Sequence, residues 1–180
     1  RMIRASVRHL SRLIQNLLDL SKSDEGKLVP VMEDVDAPAL VEEVFAQMRV
    51  IAEQKQVTLS STVGVATLRG ERHLLDRVLE NLMENAIRHA PEGSRVSLSL
   101  RRAEGEVELR VEDEGPGIPE AMREQIFEPF FQISGASGPR TGRGLGLSFC
   151  KRAVEAHGGT IWAAPAEKGA VICARLPDGG

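Results

Sequence analysis

Between Val96 and Val111 apolar residues alternate with polar ones: Val96, Leu98 and Leu100 precede Glu104-Gly105, and Val107, Leu109 and Val111 follow it. A period of two gathers each apolar set on one face of a strand, and the Glu-Gly pair supplies the short turn that folds one strand back on the other. An antiparallel pair with one apolar face needs a second layer to cover it. The flanking sequence supplies helices for that purpose. Asp36 reads as an N-cap with Pro38 in the first turn, opening a helix that carries Leu40, Val44, Met48 and Ile51 on one face and ends near Lys55. A longer helix runs from Arg72 to Ala90, where Pro91 and Gly93 stop it, and another from Gly144 to Ala156. Further strands are expected around Val57 to Ser61, Val65 to Leu68, Thr160 to Ala164 and Ala170 to Leu176, with a short helix near Pro119 to Gln125. This order predicts an α/β protein, a two-layer sandwich with a mixed sheet packed on helices.

Ahead of this domain, Leu10, Leu13, Ile14, Leu17, Leu18 and Leu20 fall at helical spacing, and Asp24 to Gly26 with Pro30 end the segment. Residues 1–29 are therefore expected to form one amphipathic helix and a linker, and residues 30–180 the compact domain. The leucine stripe calls for a partner helix. The chain carries 23 basic and 26 acidic residues, a net charge of -3, with no basic stripe, so nucleic acid is not expected as a partner. Cys150 and Cys173 sit in apolar stretches without metal-ligand spacing and are expected to be buried free thiols. No run reaches the roughly 20 apolar residues of a membrane helix. The chain is expected to be cytoplasmic, with any membrane anchor of a parent protein outside it.

Three clusters carry chemistry. In the long helix, Asn81 and Asn85 lie four residues apart on one face. A carboxamide offers an uncharged oxygen to a cation and N–H groups to phosphate oxygens, which suits a magnesium ion on a triphosphate. Arg88 and His89, one turn on, add charge and hydrogen bonds for the same phosphates. The second cluster, Asp113-Glu114-Gly115-Pro116-Gly117-Ile118, closes an alternating strand. A carboxylate there can accept from the exocyclic amine of adenine, while Gly115 and Gly117 let the main chain turn tightly against the base beside Ile118. The third, Gly142-Arg143-Gly144-Leu145-Gly146-Leu147, lies between a polar loop and a helix, so its amides can cradle phosphates, with Arg140 and Arg143 within reach of a terminal phosphate. No strand directly precedes these glycines, so the pattern is not the dinucleotide-binding fingerprint.

Taken in order with Ile126-Phe127-Glu128-Pro129-Phe130-Phe131, these clusters resemble the boxes of sensor histidine kinases, members of an ATPase superfamily shared with DNA gyrase and chaperone ATPases. The resemblance covers the chain from Val35 to Leu176, and Gly158, Gly159 and Gly169 fall where the family places its later glycines. It implies a catalytic domain that binds ATP and Mg2+, with Asn85 as the metal contact, and transfers the terminal phosphoryl group to a histidine, for relay to a response regulator receiver domain. The segment from Arg12 to Ser21 looks like the second helix of the family's dimerisation hairpin. That implies a homodimeric parent whose first helix bears the acceptor. No His-Glu or His-Asp pair occurs in the sequence, so His9, His73 and His157 are expected to be structural or solvated. Two departures stand out: Thr141 and Arg143 replace small residues of the phosphate loop, and Ala170 replaces a frequent threonine after Gly169. The alternative is a nucleotide-sensing regulatory module that transfers no phosphate.

Overall fold

The computed structural model describes residues 28–133 and 144–178. Most of the amphipathic segment expected over 1–29, together with Arg140, Thr141, Gly142 and Arg143, lies outside the described residues. Strand β1 (Glu33–Asp36) leads into helix α1 (Ala37–Gln54), followed by β2 (Thr58–Val63), β3 (Thr67–Gly70), helix α2 (Arg72–His89), β4 (Arg95–Ala103) and β5 (Glu106–Asp113). Two 3-10 turns, Glu120–Met122 and Gln125–Phe127, precede helix α3 (Gly146–Ala156), β6 (Thr160–Ala164) and β7 (Ala170–Pro177). The main sheet runs β2-β4-β5-β7-β6, and β1 pairs with β3 in a small second one. Only β2 against β4 is parallel in the main sheet, so the sheet is mixed, as expected.

The central hairpin forms as its alternation demands. Leu98 faces Val111 and Leu100 faces Leu109 across the ladder, and Glu104 and Gly105 turn the chain with φ of 56° and 81°. Left-handed backbone at both turn residues matches the twist of the strands they join. The apolar face is covered by the three helices: Leu40, Val44 and Met48 of α1, Leu79, Leu82, Met83 and Ile87 of α2, and Phe149 and Val154 of α3 are all buried. Each such side chain stabilises the fold by about 2 kcal/mol on burial. Both thiols are buried, and Cys150 Sγ lies 3.7 Å from the carbonyl of Val78.

Helix boundaries follow local chemistry. Asp36 caps α1 by accepting from the Ala39 amide at 2.8 Å. Glu71, at the head of α2, uses no side-chain cap. Its backbone N–H instead donates to His157 Nε2 at 2.9 Å, while Nδ1 of that ring meets the Ala153 carbonyl at 2.7 Å. His157 therefore ties the end of α3 to the start of α2, a structural role.

Three expectations need correction. Strand β1 is absent from the sequence expectations: Glu33-Asp34-Val35-Asp36 carries three acidic residues, and in the structure only Val35 is buried, so pairing of Val35 with Leu68 makes the strand, not propensity. The helix expected from Gly144 begins at Gly146, because Gly144 adopts φ 66° and packs on the backbone of Phe130. The short helix near Pro119 is two 3-10 turns.

Candidate functional site

The described candidate residues meet where α2, the end of β5, the β6–β7 connection and the start of α3 converge. Asp113 is the last residue of β5 and points to the helix side of the sheet, 8% exposed. Its Oδ1 accepts from two backbone amides, Gly115 N at 2.7 Å and Ala170 N at 3.4 Å. Both bonds fall on the same oxygen. Burial pushes the carboxyl above the ordinary aspartate range; the two amide bonds and nearby Lys55 pull it partly back.

The glycines of this turn are required by contact. A Cβ on Gly115 would stand 2.7 Å from Asp113 Oδ1 and 2.7 Å from the His89 carbonyl, so the turn presses against the end of α2. Gly117, with φ 80°, would carry its Cβ to 2.9 Å from the Gly169 carbonyl, and a Cβ on Gly169 would collide with the backbone of Asp113. Three chain segments thus interlock with no room for side chains. Ile118, partly buried, packs on the core beside them.

Along α2, Leu82 and Ile87 face the core as expected, with Asn81 buried and Asn85 half-buried. Asn81 Nδ2 turns back to the Arg77 carbonyl at 2.7 Å, and a Cβ on Gly146 would sit 3.0 Å from Asn81 Oδ1. The first glycine of α3 is therefore seated on the first asparagine of α2. Arg88 is half-buried and paired with Glu84 at 3.1 Å, one turn back. His89 is exposed at its outer edge, yet the surrounding protein, then Arg88 and Lys55, push its imidazole below the usual histidine range.

The remaining cluster splits. Gly144 is fixed by Phe130, whose N–H donates to its carbonyl at 3.0 Å, and Phe130 itself is left-handed, with φ 65°. Leu145 is buried, and Leu147 packs partly buried against the core. Gly142, Arg140 and Arg143 lie outside the described residues. Among the described residues, no group of three or more His, Cys, Asp or Glu side chains is arranged to hold a metal ion. No helix among them is long and apolar enough to cross a membrane.

Two contacts went unseen in the sequence, although Ala170 itself stood out there. Lys55 lies beyond α1 and reaches the end of α2, and Ala170 lends Asp113 a backbone amide; neither contact leaves a signal in local spacing.

Residues 70–180 match the family of histidine kinase-, DNA gyrase B- and HSP90-like ATPases. The chain belongs to that family. Within it, the similar proteins include histidine kinases. The signal transduction histidine-protein kinase AfsQ2 of Streptomyces coelicolor is 38% identical over 179 residues, covering 98% of this chain and 32% of AfsQ2. Among solved structures, full-length ShkA in complex with AMPPNP superposes with a TM-score of 0.83 at 27% identity, covering 98% of this chain and 37% of that one. The histidine kinase ThkA in complex with the response regulator protein TrrA gives 0.75 at 25% identity, covering 98% of this chain and 50% of that one. The chain spans less than half the length of the curated relatives it matches.

Proposed function

We propose that this chain is the nucleotide-holding half of a histidine kinase, binding magnesium-ATP beside α2 and presenting the terminal phosphate to a histidine outside these 180 residues. The observation that carries this reading is the grip on Asp113. Gly115 and Ala170 both donate to Oδ1, which commits that oxygen and keeps the lone pairs of Oδ2 for a ligand. An adenine amine, being a donor, suits it. Guanine presents a carbonyl in that place, and two acceptors repel. The interlocked Gly115, Gly117 and Gly169 let a flat base approach the main chain beside Ile118.

From the base, α2 offers His89, Arg88, Asn85 and Asn81 in sequence toward the start of α3. Asn85 supplies a neutral oxygen that fits magnesium already carrying phosphate oxygens, and the ion would offset charge on the transferring group. The amides of Gly142, Gly144, Leu145, Gly146 and Leu147 are the proposed phosphate cradle, with Arg140 and Arg143 on the terminal phosphate. Transfer breaks the bond between the terminal phosphorus and the bridging oxygen, forms a phosphorus–nitrogen bond on the acceptor imidazole and releases ADP. The protein's contribution is positioning and charge stabilisation, with no protein nucleophile in the donor half. Residues 30–180 act as the catalytic domain and 1–29 as the second helix of a dimerisation hairpin, in a homodimeric parent that passes phosphate to a response regulator. The complexes of the similar proteins, one with AMPPNP and one with a response regulator, support this assignment.

Labelled ATP tests it. Alone, the chain is expected to gain no acid-labile phosphate. With the parent's whole hairpin added as a second polypeptide, label should appear there, lost in acid and stable in base, at a rate that rises with hairpin concentration. Phosphate on His9, or base-labile phosphate on serine, sinks the reading.

A further inference from the structure

We propose that Lys55 is a positioning residue for adenine recognition, its ammonium neutralising the carbonyl end of α2 and so holding Asp113 in its carboxylate form. The inference rests on the reading of Asp113 as the adenine acceptor. Lys55 is the C-cap of α1, and its side chain crosses to the end of α2. There Nζ donates to the Ile87 carbonyl at 2.8 Å and to the Arg88 carbonyl. These are among the last carbonyls of the helix, which have no partner within it and carry the negative end of its dipole. The Ala90 amide closes only the Ala86 carbonyl, and Pro91 has no N–H to offer.

That negative end lies against the adenine turn. Gly115 is so close to the His89 carbonyl that a Cβ would stand 2.7 Å away, and the same Cβ would be 2.7 Å from Asp113 Oδ1. A buried carboxylate next to exposed helix carbonyls is disfavoured twice, by desolvation and by like partial charge. Protonation would answer both, and the added O–H would face the adenine amine as a second donor. A cation bound to those carbonyls eases the conflict. Of the charged groups on the packed elements, Lys55 from the end of α1 is the one that acts on the Asp113 carboxyl, while α2 carries Arg88 and His89 nearby and the turn carries Glu114 beside Lys168. Arg88 is engaged by Glu84, and Lys168 lies 3.5 Å from Glu114. Lys55 is the charged neighbour that lowers the Asp113 carboxyl, and Asp113 in turn raises the Lys55 ammonium against the larger effect of burial.

The test separates charge from capping. Lys55→Gln keeps an N–H donor for the helix carbonyls without the charge, Lys55→Arg keeps the charge, and Lys55→Met removes both. The Asp113 carboxyl is followed by carbon-13 NMR against pH in the nucleotide-free chain, and ATP affinity is measured over the same pH range. The Asp113 midpoint should rise in Lys55→Gln and Lys55→Met and stay near the parent value in Lys55→Arg. ATP affinity in each protein should decline on acidification around its own midpoint. A purely structural lysine would lower the melting temperature and leave the midpoint where it was. An unchanged midpoint in folded Lys55→Gln overturns the inference, and that variant decides if Lys55→Met does not fold. Absence of ATP binding in the parent would instead sink the adenine assignment, since the midpoint is read without nucleotide.

Discussion

Strand β5 buries two carboxylates on opposite faces of the sheet, and they are held in opposite ways. Glu108, 4% exposed on the outer face, is saturated by cations: Arg101 donates to Oε1 from Nε at 3.0 Å and Nη2 at 2.6 Å, and Arg175 donates to Oε2 at 3.3 Å. The Arg101 hydrogen bonds hold its carboxyl below the ordinary glutamate range against the opposing effect of burial. Asp113, 8% exposed on the helix side, has only backbone amides on one oxygen, and its carboxyl is pushed up. Glu108 has its charge answered within the fold, whereas Asp113 keeps acceptor capacity that only a ligand would use. A buried acid on a strand is therefore read by its partners, because burial alone does not distinguish scaffold from site.

The largest expected effect is on binding. Asp113→Ala should weaken ATP by ten- to a hundredfold, the worth of a hydrogen bond to a charged group at about 1.5–3 kcal/mol, with little loss of melting temperature. Glu108→Ala should do the reverse. It leaves two guanidinium groups unpaired, but Arg101 and Arg175 side chains are 63% and 37% exposed, so the loss is about 1–2 kcal/mol in urea unfolding and ATP affinity stays within twofold. A Glu108 variant that loses ATP binding while folded would break the contrast.

Acid sharpens it, because the two groups have opposite signs. Glu108, with a depressed value in the folded state, contributes stability that is present above its unfolded value near 4.5 and lost as pH falls through the lower folded value. The deficit of Glu108→Gln should therefore shrink below pH 4.5. Asp113, with a raised value, costs stability while ionised, and that cost is relieved as pH falls through its folded value toward 3.8. Any stability gained by Asp113→Asn at neutral pH should fade over that interval. Parallel pH profiles for the two variants would contradict the assignment. The smallest effects belong to the single arginines. Arg101→Met and Arg175→Met should each cost under about 1 kcal/mol, since the other remains. Only the second should alter emission from Trp162, the chain's single tryptophan, whose ring lies 5.5 Å from the Arg175 guanidinium.

What the sequence disclosed was what periodicity and local motifs encode. The hairpin around Glu104-Gly105, the Asp36 cap, and the buried positions of α2 follow from spacing of two and of three to four. Asp113 stood out because its glycines sit beside it in the chain. The long-range contacts left no such trace: Lys55 meets a carbonyl 32 residues away, and Asp113 draws an amide from Ala170, 57 residues on. The delayed start of α3 depends on Phe130, and β1 on β3. No local pattern reports either.

The central claim is that Asp113 reads adenine, and isothermal calorimetry of ATP and GTP against the parent and Asp113→Asn tests it most directly. With two backbone N–H groups on one oxygen position, asparagine must place its carbonyl there and turn its NH2 toward the base, a donor against the adenine amine but a partner for the guanine carbonyl. The parent should bind ATP in preference to GTP, and the variant should lose ATP at least tenfold, with the preference abolished or reversed. An Asp113→Asn chain that binds ATP as well as the parent, or a parent that binds GTP equally, would contradict the account.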